Sequence, residues 1–424
     1  MKVLVVGGGG REHAIAWKLS KENNVEKIYC APGNAGIAKV AQCVNISDSD
    51  IENLVKFAKE NNIDLTVVGP EVPLVNGIVD EFEKKGLKIF GPNKECSTFE
   101  GSKAFSKDFM IRHNIPTAKY KEYTNLDEAI SEIDSFGYPV VIKADGLAAG
   151  KGVVIPENRE DAINTLREIM SDKKFGSAGE KIVVEEFLSG IETSILAFVD
   201  NDTIVPMVSA KDHKKVYNFE KGPNTGGMGT FSPSEIYTDE LSKEISEKVL
   251  NRTLQGFKKD NLNYKGVLFI GLMITEDGPK VLEYNVRFGD PETQSVLFRL
   301  ETDLHKIMEA ILDNKLKDIE INYKKEEAVC VMLTSGGYPE DYEKGKVITG
   351  LEDLDEDIVV FHSGTKMLDG NLVTNGGRVI GITTSAGSVE EAAKKVYKNI
   401  EKINFEGMHY RTDIGIKFCE EISF

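Results

Sequence analysis

Short apolar runs, each closed by glycine or Gly-Pro, alternate with stretches of helical period through the first hundred residues. Lys2–Val6 runs into Gly7-Gly8-Gly9-Gly10, and Arg11–Glu22 reads as a helix. Lys27–Cys30 is a second strand. Ile51, Leu54, Val55 and Ala58 fall on one helix face. Leu65–Val68 ends at Gly69-Pro70, Val72–Lys85 can form a helix, and Leu87–Phe90 ends at Gly91-Pro92. Consecutive strands separated by helices pair in parallel, because the helix carries the chain back to the same edge. The apolar runs barely alternate with polar residues, as expected of strands covered on both faces. Residues 1–102 are therefore read as an open parallel α/β sheet.

Beyond it the pattern changes twice. Phe99–Asn114 reads as a helix that Pro116 ends, and Asp127–Phe136, Asp161–Met170, Glu240–Phe257 and Leu304–Leu312 as further helices. Tyr138–Lys143 and Val153–Ile155 flank a glycine-rich stretch, and Ile182–Glu186 is another strand. Two hairpins are expected, Ser194–Val199 with Thr203–Val208 and Val267–Thr275 with Lys280–Tyr284. From about residue 326, short strands (Ala328–Leu333, Ile358–His362, Val379–Thr384) and one helix (Val389–Asn399) read as a small α+β unit. The divisions are thus 1–102, 103–325 and 326–424.

The chain carries 52 Lys and Arg against 69 Asp and Glu, a net charge of −17. Such an acid excess argues against nucleic acid or an anionic membrane as the main partner, but leaves room for a phosphorylated small molecule held by local cations. No apolar run reaches the about 20 residues that span a bilayer. The N-terminal run is too short for a signal-peptide core. Five scattered cysteines without a C-x-x-C fit neither a disulfide framework nor a zinc cluster, so the cytoplasm is the expected setting. Nothing in the sequence fixes the oligomeric state, and a monomer is compatible with it.

Four stretches carry chemistry. Gly7–Gly10, between a strand and a helix, permits either a phosphate contact or merely a tight turn. It fails the dinucleotide spacing, since Glu12 or His13 occupies the third-glycine slot. Gly146–Gly152, with Lys143 and Lys151, reads either as a flexible lid over phosphates or as a glycine-rich hairpin. It is one residue short of a P-loop, and Gly152 stands where that loop needs Ser or Thr. In Glu283–Gln294, strand alternation places Glu283 and Asn285 on one face, where a carboxylate and an amide oxygen suit a hard cation. Arg287 follows as a bidentate anion donor. Asp212–Lys215 and Gly222–Gly229 form a polar, glycine-rich loop able to wrap a phosphate or carboxylate.

In this order the motifs resemble the ATP-grasp ligases and, within them, the phosphoribosylamine–glycine ligase family. The stretches that carry the resemblance include VLVVGGGGREHAIAWKL, PVVIKADGLAAGKGV, KDHKKVYNFEKGPNTGGMG, EYNVRFGDPETQ, GGRVIGIT and YRTDIG. They extend from residue 3 to residue 415. The resemblance implies a central ATP-grasp fold of two α+β subdomains, its lid subdomain at about 115–190, between the N-terminal sheet and the small C-terminal α+β domain.

It also implies roles. Lys103 and Lys143 would contact ATP phosphates under a lid of Ala149, Gly150, Lys151 and Gly152. Glu185 and Leu188 would line the adenine slot, largely through backbone groups, and Glu192 would hold the ribose. Glu283 and Asn285 would bind Mg²⁺ or Mn²⁺. Arg287, Asp212 and Lys214 would serve the reacting groups, with Asn224, Gly226, Gly227 and Asp290 on the substrate side. Gly8, Gly9, Gly10, Pro70 and Glu71 would help hold the phosphoribosyl end. Three departures from the family stand out. Ile191 precedes Glu192 where a second acid is usual, residues 216–221 replace a loop rich in Gly and Asp, and Ile270-Gly271-Leu272 lacks a carboxylate common in the wider superfamily.

The implied reaction joins glycine to 5-phosphoribosylamine through a glycyl phosphate. It yields glycinamide ribonucleotide, ADP and phosphate, a step of purine biosynthesis. Phosphorylation gives the carboxylate a leaving group, cations neutralise the approach of two anions, and a lid excludes water. The rivals are another purine-pathway ATP-grasp ligase or carboxylase, a nicotinamide oxidoreductase, and a non-catalytic nucleotide sensor.

Overall fold

The computed structural model describes residues 1–147 and 152–416. At the N-terminus five strands, β1 (Lys2–Gly7), β2 (Lys27–Pro32), β3 (Gln42–Cys43), β4 (Leu65–Val68) and β5 (Ile89–Phe90), lie in the order β3-β2-β1-β4-β5. All their pairings are parallel, as the alternation of strand and helix requires. Both faces of β1 are buried: Val3 and Val5 enter one core, Leu4 and Val6 another. Each core is completed by the central sheet, the first by Leu196, Phe198 and Phe269, the second by Ile195, Ala197 and Ile270. The N-terminal and central parts therefore share their hydrophobic interior.

The central sheet is antiparallel: Ile204–Pro206, Ile191–Val199, Gly266–Thr275 and Gly278–Asn285, in that spatial order. A second antiparallel sheet, Tyr120–Tyr123, Ile182–Glu186, Val140–Ala144 and Val153–Val154, is covered by helices Leu126–Glu132 and Arg159–Met170 and keeps its own core around Ile142, Leu166 and Ala129. Together they form the two-subdomain α/β arrangement expected of the middle of the chain.

The third large sheet crosses the expected division at 326. Its order is Lys211–Asp212, Gly229–Ser232, Glu327–Thr334, Arg378–Ala386 and Val359–His362, with helix Val389–Ile400 packed upon it. Two strands from the middle of the chain thus extend a C-terminal sheet, so the Asp212 loop is built into the C-terminal unit.

Several elements differ from their sequence reading. Val72–Lys85 is two helices, Glu71–Val75 and Ile78–Glu83, broken where Gly77 takes φ +89°. Phe99–Asn114 belongs to helices Lys94–Gly101 and Lys103–Arg112, separated by extended Ser102, whose hydroxyl accepts the Phe105 N–H. Glu240–Phe257 is interrupted by one π turn at Ser246–Leu250. Residues 212–229, read as a loop, contain the hairpin Lys215–Tyr217 with Lys221–Asn224. Helix Glu292–Arg299 and hairpin Thr365–Leu368 with Asn371–Thr374 had no sequence signal strong enough to read. No helix among the described residues is long and apolar enough to cross a membrane.

Candidate active site

A cleft of about 510 Å³ lies between the two antiparallel sheets and the C-terminal sheet. Strand Gly278–Asn285 forms one wall. Its pairing with Gly266–Thr275 slips at Gly271/Leu272, and Leu282, Glu283, Tyr284 and Asn285 beside this bulge all line the cleft. Asn285 Nδ2 donates to Glu283 Oε1 at 3.4 Å. Gly271 sits opposite Glu283, where an added Cβ would meet Glu283 Cγ at 3.2 Å. The position without the superfamily's carboxylate thus makes room for the carboxylate that remains.

One end of the cleft is built on lysines. Lys143, on strand Val140–Ala144, and Lys107, on helix Lys103–Arg112, both pair with buried Glu185 at 2.8 Å. Lys143 also donates to the Leu282 carbonyl at 3.2 Å. Lys103 begins its helix because Asp145 accepts from the Ser102 hydroxyl and the Ala104 N–H, which ties that helix start to the glycine-rich stretch. Burial lowers Lys103, and it pushes Lys107 down to about 8 despite Glu185. Burial pushes Glu283 up, but Lys214, Lys143 and Lys103 outweigh it and hold the carboxyl below its usual range. Lys214 pairs with Glu192 across the cleft mouth.

The other end is built on arginines from three distant stretches. Arg287 meets Glu100 at 2.8 Å and Glu71 at 3.4 Å, and Glu100 also accepts the Val286 N–H at 2.8 Å. Arg378, from the C-terminal sheet, donates to the Asp290 carbonyl at 2.6 Å and pairs with its carboxylate at 3.2 Å. Arg11 donates to the Phe288 carbonyl at 3.1 Å. Burial raises Asp290, but Arg378 and Arg11 win and leave it lowered. Asp212 is different: burial and then the Glu292 charge push it well up, and burial likewise raises Glu292. Gly227 takes φ +115°, and a Cβ there would lie 2.6 Å from Asp212 Oδ1, so the loop closes over that carboxyl only with glycine.

The match to known proteins follows the whole length of this architecture. Residues 1–100, 101–293 and 328–417 match the N domain, the ATP-grasp (A) domain and the C domain of phosphoribosylglycinamide synthetase. The chain belongs to the phosphoribosylglycinamide synthetase family. It is 53% identical over 415 residues to a phosphoribosylamine–glycine ligase of Caldanaerobacter subterraneus subsp. tengcongensis, covering 98% of this chain and 99% of that one. The Clostridium acetobutylicum ligase is 49% identical, with the same coverage. A crystal structure of the Thermotoga maritima phosphoribosylamine–glycine ligase superimposes with a TM-score of 0.85 at 35% identity, over 98% of this chain and 100% of that one. A biotin carboxylase of Campylobacter jejuni, 14% identical, shares the fold with a TM-score of 0.74 over 96% of this chain and 92% of that one.

Within this family frame the cleft gathers most residues singled out from the sequence. Lys103, Lys143, Gly152, Glu185, Leu188 and Glu192 line it toward the lysine end, with Glu283 and Asn285 between the ends. Arg287, Asp212, Lys214, Asn224, Gly226, Asp290 and Glu71 line the rest. Ala149, Gly150 and Lys151 lie outside the described residues. Gly8, Gly9, Gly10, Pro70 and Gly227 are not on the cleft surface. The Gly9 N–H is taken by Glu12 at 2.6 Å, so this helix start is capped by its own carboxylate. Gly10 instead faces Gln294 and Ser363: a Cβ there would come within 2.6 Å of Gln294 Nε2 and of Ser363 Oγ. Gln294 Oε1 and Ser363 Oγ are buried without a hydrogen-bond partner.

Two expected contacts differ. Glu185 presents its side chain to two lysines, and Glu192 engages Lys214. Lys107, Glu100, Arg11, Glu292 and Arg378 line the cleft but were not singled out. The first two lie on helices whose inward face the sequence could not show. Arg378 lies in GGRVIGIT, a stretch quoted for its resemblance without a chemical role.

Proposed function

We propose that this chain ligates glycine to 5-phosphoribosylamine at the expense of ATP in the cytoplasm, forming glycinamide ribonucleotide, ADP and phosphate. The observation that carries the reading is one continuous cleft with a lysine end, an arginine end and Glu283–Asn285 between them. ATP takes the lysine end, its phosphates drawing on Lys103, Lys107 and Lys143 and its base lying against Leu188. A carboxylate oxygen of glycine attacks the γ-phosphorus, that new P–O bond forms, and the bond to the β-phosphate oxygen breaks to release ADP. The amine then attacks the glycyl carbonyl, the C–O bond to phosphate breaks, and the amine nitrogen gives up a proton. The half-buried Asp212 and buried Glu292 carboxyls are the groups placed to exchange it. Arg287, already held by Glu100 and Glu71, presents its positive charge to the anionic substrate.

The donor set fits a hard divalent cation, Mg²⁺ or Mn²⁺: Glu283 is held ionised and Asn285 adds an amide oxygen once its amide turns over. When bound, the ion would spread charge on the phosphates. One carboxylate and one amide oxygen leave most coordination positions to phosphate and water, and no group of three His, Cys, Asp or Glu suited to a metal occurs among the described residues.

The test is ADP release with glycine and freshly made phosphoribosylamine, each omitted in turn. Release that needs both supports the reading. Release sustained by bicarbonate or formate in place of glycine would move the chain to another ATP-grasp activity.

A further inference from the structure

Arg411 is the largest fully buried side chain among the described residues, with 1% exposure, yet it lies outside the cleft. It comes from YRTDIG, and its whole hydrogen-bonding fork is engaged. Its Nε and Nη2 hold the two Asp413 oxygens at 2.8 and 2.7 Å, Nη2 reaches Glu220 Oε1 at 2.8 Å, and Nη1 donates to the Lys215 carbonyl at 3.1 Å. The same C-terminal segment grips the hairpin 215–224 at four further points. Asn218 and Thr412 exchange hydrogen bonds at 2.7 and 3.0 Å, the Phe219 N–H donates to Asp413 at 2.8 Å, and His409 Nε2 lies 2.9 Å from the Val216 carbonyl. The hairpin tip needs this support, because Phe219 and Glu220 take φ +60° and +54°, a region unfavourable to residues other than glycine.

The two legs of this hairpin are the cleft's own loop. Lys214 immediately precedes Lys215, and Asn224, Thr225 and Gly226 follow the return strand. The legs are tied together where they enter the cleft: the Lys214 carbonyl accepts both the Thr225 N–H at 2.7 Å and its hydroxyl at 2.8 Å. A displacement of the hairpin would therefore move Lys214 and the Asn224–Gly226 turn together.

We propose that Arg411 is a positioning residue for the ligation, holding the hairpin so that Lys214 and the Asn224–Gly226 turn meet the glycine and amine substrates. This rests on the functional reading above. Lys103, Lys107, Lys143 and Glu185 belong to other elements, so ATP binding is linked to the clamp only through the exposed Lys214–Glu192 pair.

The experiment uses the full chain. Arg411→Met removes every bond of the fork, and Glu220→Gln and Asn218→Ala loosen the clamp from the exposed side without emptying the core. Val396→Ala, in the core of the same C-terminal unit, serves as a control for stability alone. Expected for Arg411→Met is a rise of about tenfold or more in KM for glycine and for phosphoribosylamine, since small misplacement of a positioned group is costly. ATP affinity, by calorimetry, stays within about twofold of wild type. Arg411→Lys, which keeps charge but not the fork, recovers part of the loss. Glu220→Gln and Asn218→Ala shift the same two KM values in the same direction, and decide the matter if Arg411→Met does not fold. Val396→Ala lowers Tm and leaves the KM values alone. Unchanged substrate KM in the folded clamp variants, with wild type turning over, overturns this inference alone. Equal loss of ATP affinity overturns it too. A wild-type chain without glycine-dependent ADP release overturns the functional reading and this inference with it.

Discussion

The two ends of the cleft solve the same problem with different cations. At the lysine end, Lys107 and Lys143 share one carboxylate, Glu185, and come from a helix and a strand of adjoining elements. At the arginine end, Arg11, Arg287 and Arg378 come from the first, middle and last parts of the chain; Arg11 pairs with Glu12, Arg287 with Glu71 and Glu100, and Arg378 with Asp290. An ammonium is a compact charge on a flexible stem, able to exchange a protein carboxylate for a passing phosphate. A guanidinium fixed on both edges by carboxylates is already oriented before substrate arrives. The lysine end therefore suits a ligand whose phosphates must come and go, and the arginine end one whose small anion must be aimed.

Between them stands Glu283, which belongs to neither end, and its loss is expected to be the most severe. Glu283→Gln keeps the shape and removes the charge. Turnover should fall about a thousandfold, within the range lost when a charge facing a phosphoryl transfer is removed. High Mg²⁺ or Mn²⁺ should rescue it at most in part. Tm should change little, because the attraction to Lys214, Lys143 and Lys103 that Gln loses is offset by the burial cost of the charge it no longer carries, and the hydrogen bond to Asn285 can persist. A folded variant with wild-type turnover and metal dependence would separate Glu283 from the chemistry.

Arg287→Ala tests the aimed end. It leaves Glu100 and Glu71 facing one another without their shared cation. We expect kcat/KM for glycine and phosphoribosylamine to fall about a hundredfold, as for loss of a bidentate clamp, with ATP affinity nearly unchanged. If ATP affinity falls instead, the two ends do not divide the labour.

The lysine end should respond more gently. Lys107→Met is expected to raise KM for ATP about tenfold, the scale of one charge-assisted contact. Burial pushes Lys107 down to about 8, so it is charged at neutral pH and loses its proton as pH rises through that value. KM for ATP should accordingly climb between pH 7 and 9 in wild type, flatter in Lys107→Arg. A wild-type KM that is level over that window would remove Lys107 from phosphate binding.

The same contrast explains what could be read from the sequence. Lys143, Glu283 and Asn285 lie on strands whose alternation and glycine borders are local signals, and they were placed in the cleft from spacing and resemblance. Lys107 and Glu100 sit on a helix pair that looked like one helix, because the break at Ser102 depends on its contact with Asp145, 43 residues away. Arg378 and Arg411 could not be placed, since nothing local reveals that strands Lys211–Asp212 and Gly229–Ser232 join a C-terminal sheet. Long-range pairing, not weak propensity, hid the rest of the site.

The arginine end also depends on the N-terminal and C-terminal parts staying docked, and two buried histidines make that docking sensitive to acid. His13, on the helix after the glycine loop, accepts the His362 N–H at its Nδ1, 2.8 Å away, and His362 Nδ1 lies 3.0 Å from Thr365 Oγ1. Burial, then the neighbouring His362 and Lys39 charges, pushes His13 down to about 3, and burial and Lys39 push His362 down to about 4. Both stay neutral in the folded chain while the unfolded chain takes up protons below about 6.5. Their effect is nil above that pH and destabilising as pH falls from it toward 4, amounting to about 2 kcal/mol for each by pH 5. Acidification should thus lower Tm and raise KM for glycine a few-fold before ATP affinity changes. His13→Asn keeps an acceptor for the His362 N–H but cannot titrate, and should flatten the acid limb of the Tm curve. An unaltered limb would mean that other groups set the acid sensitivity, and a parallel loss of ATP affinity would mean that the two ends loosen as one.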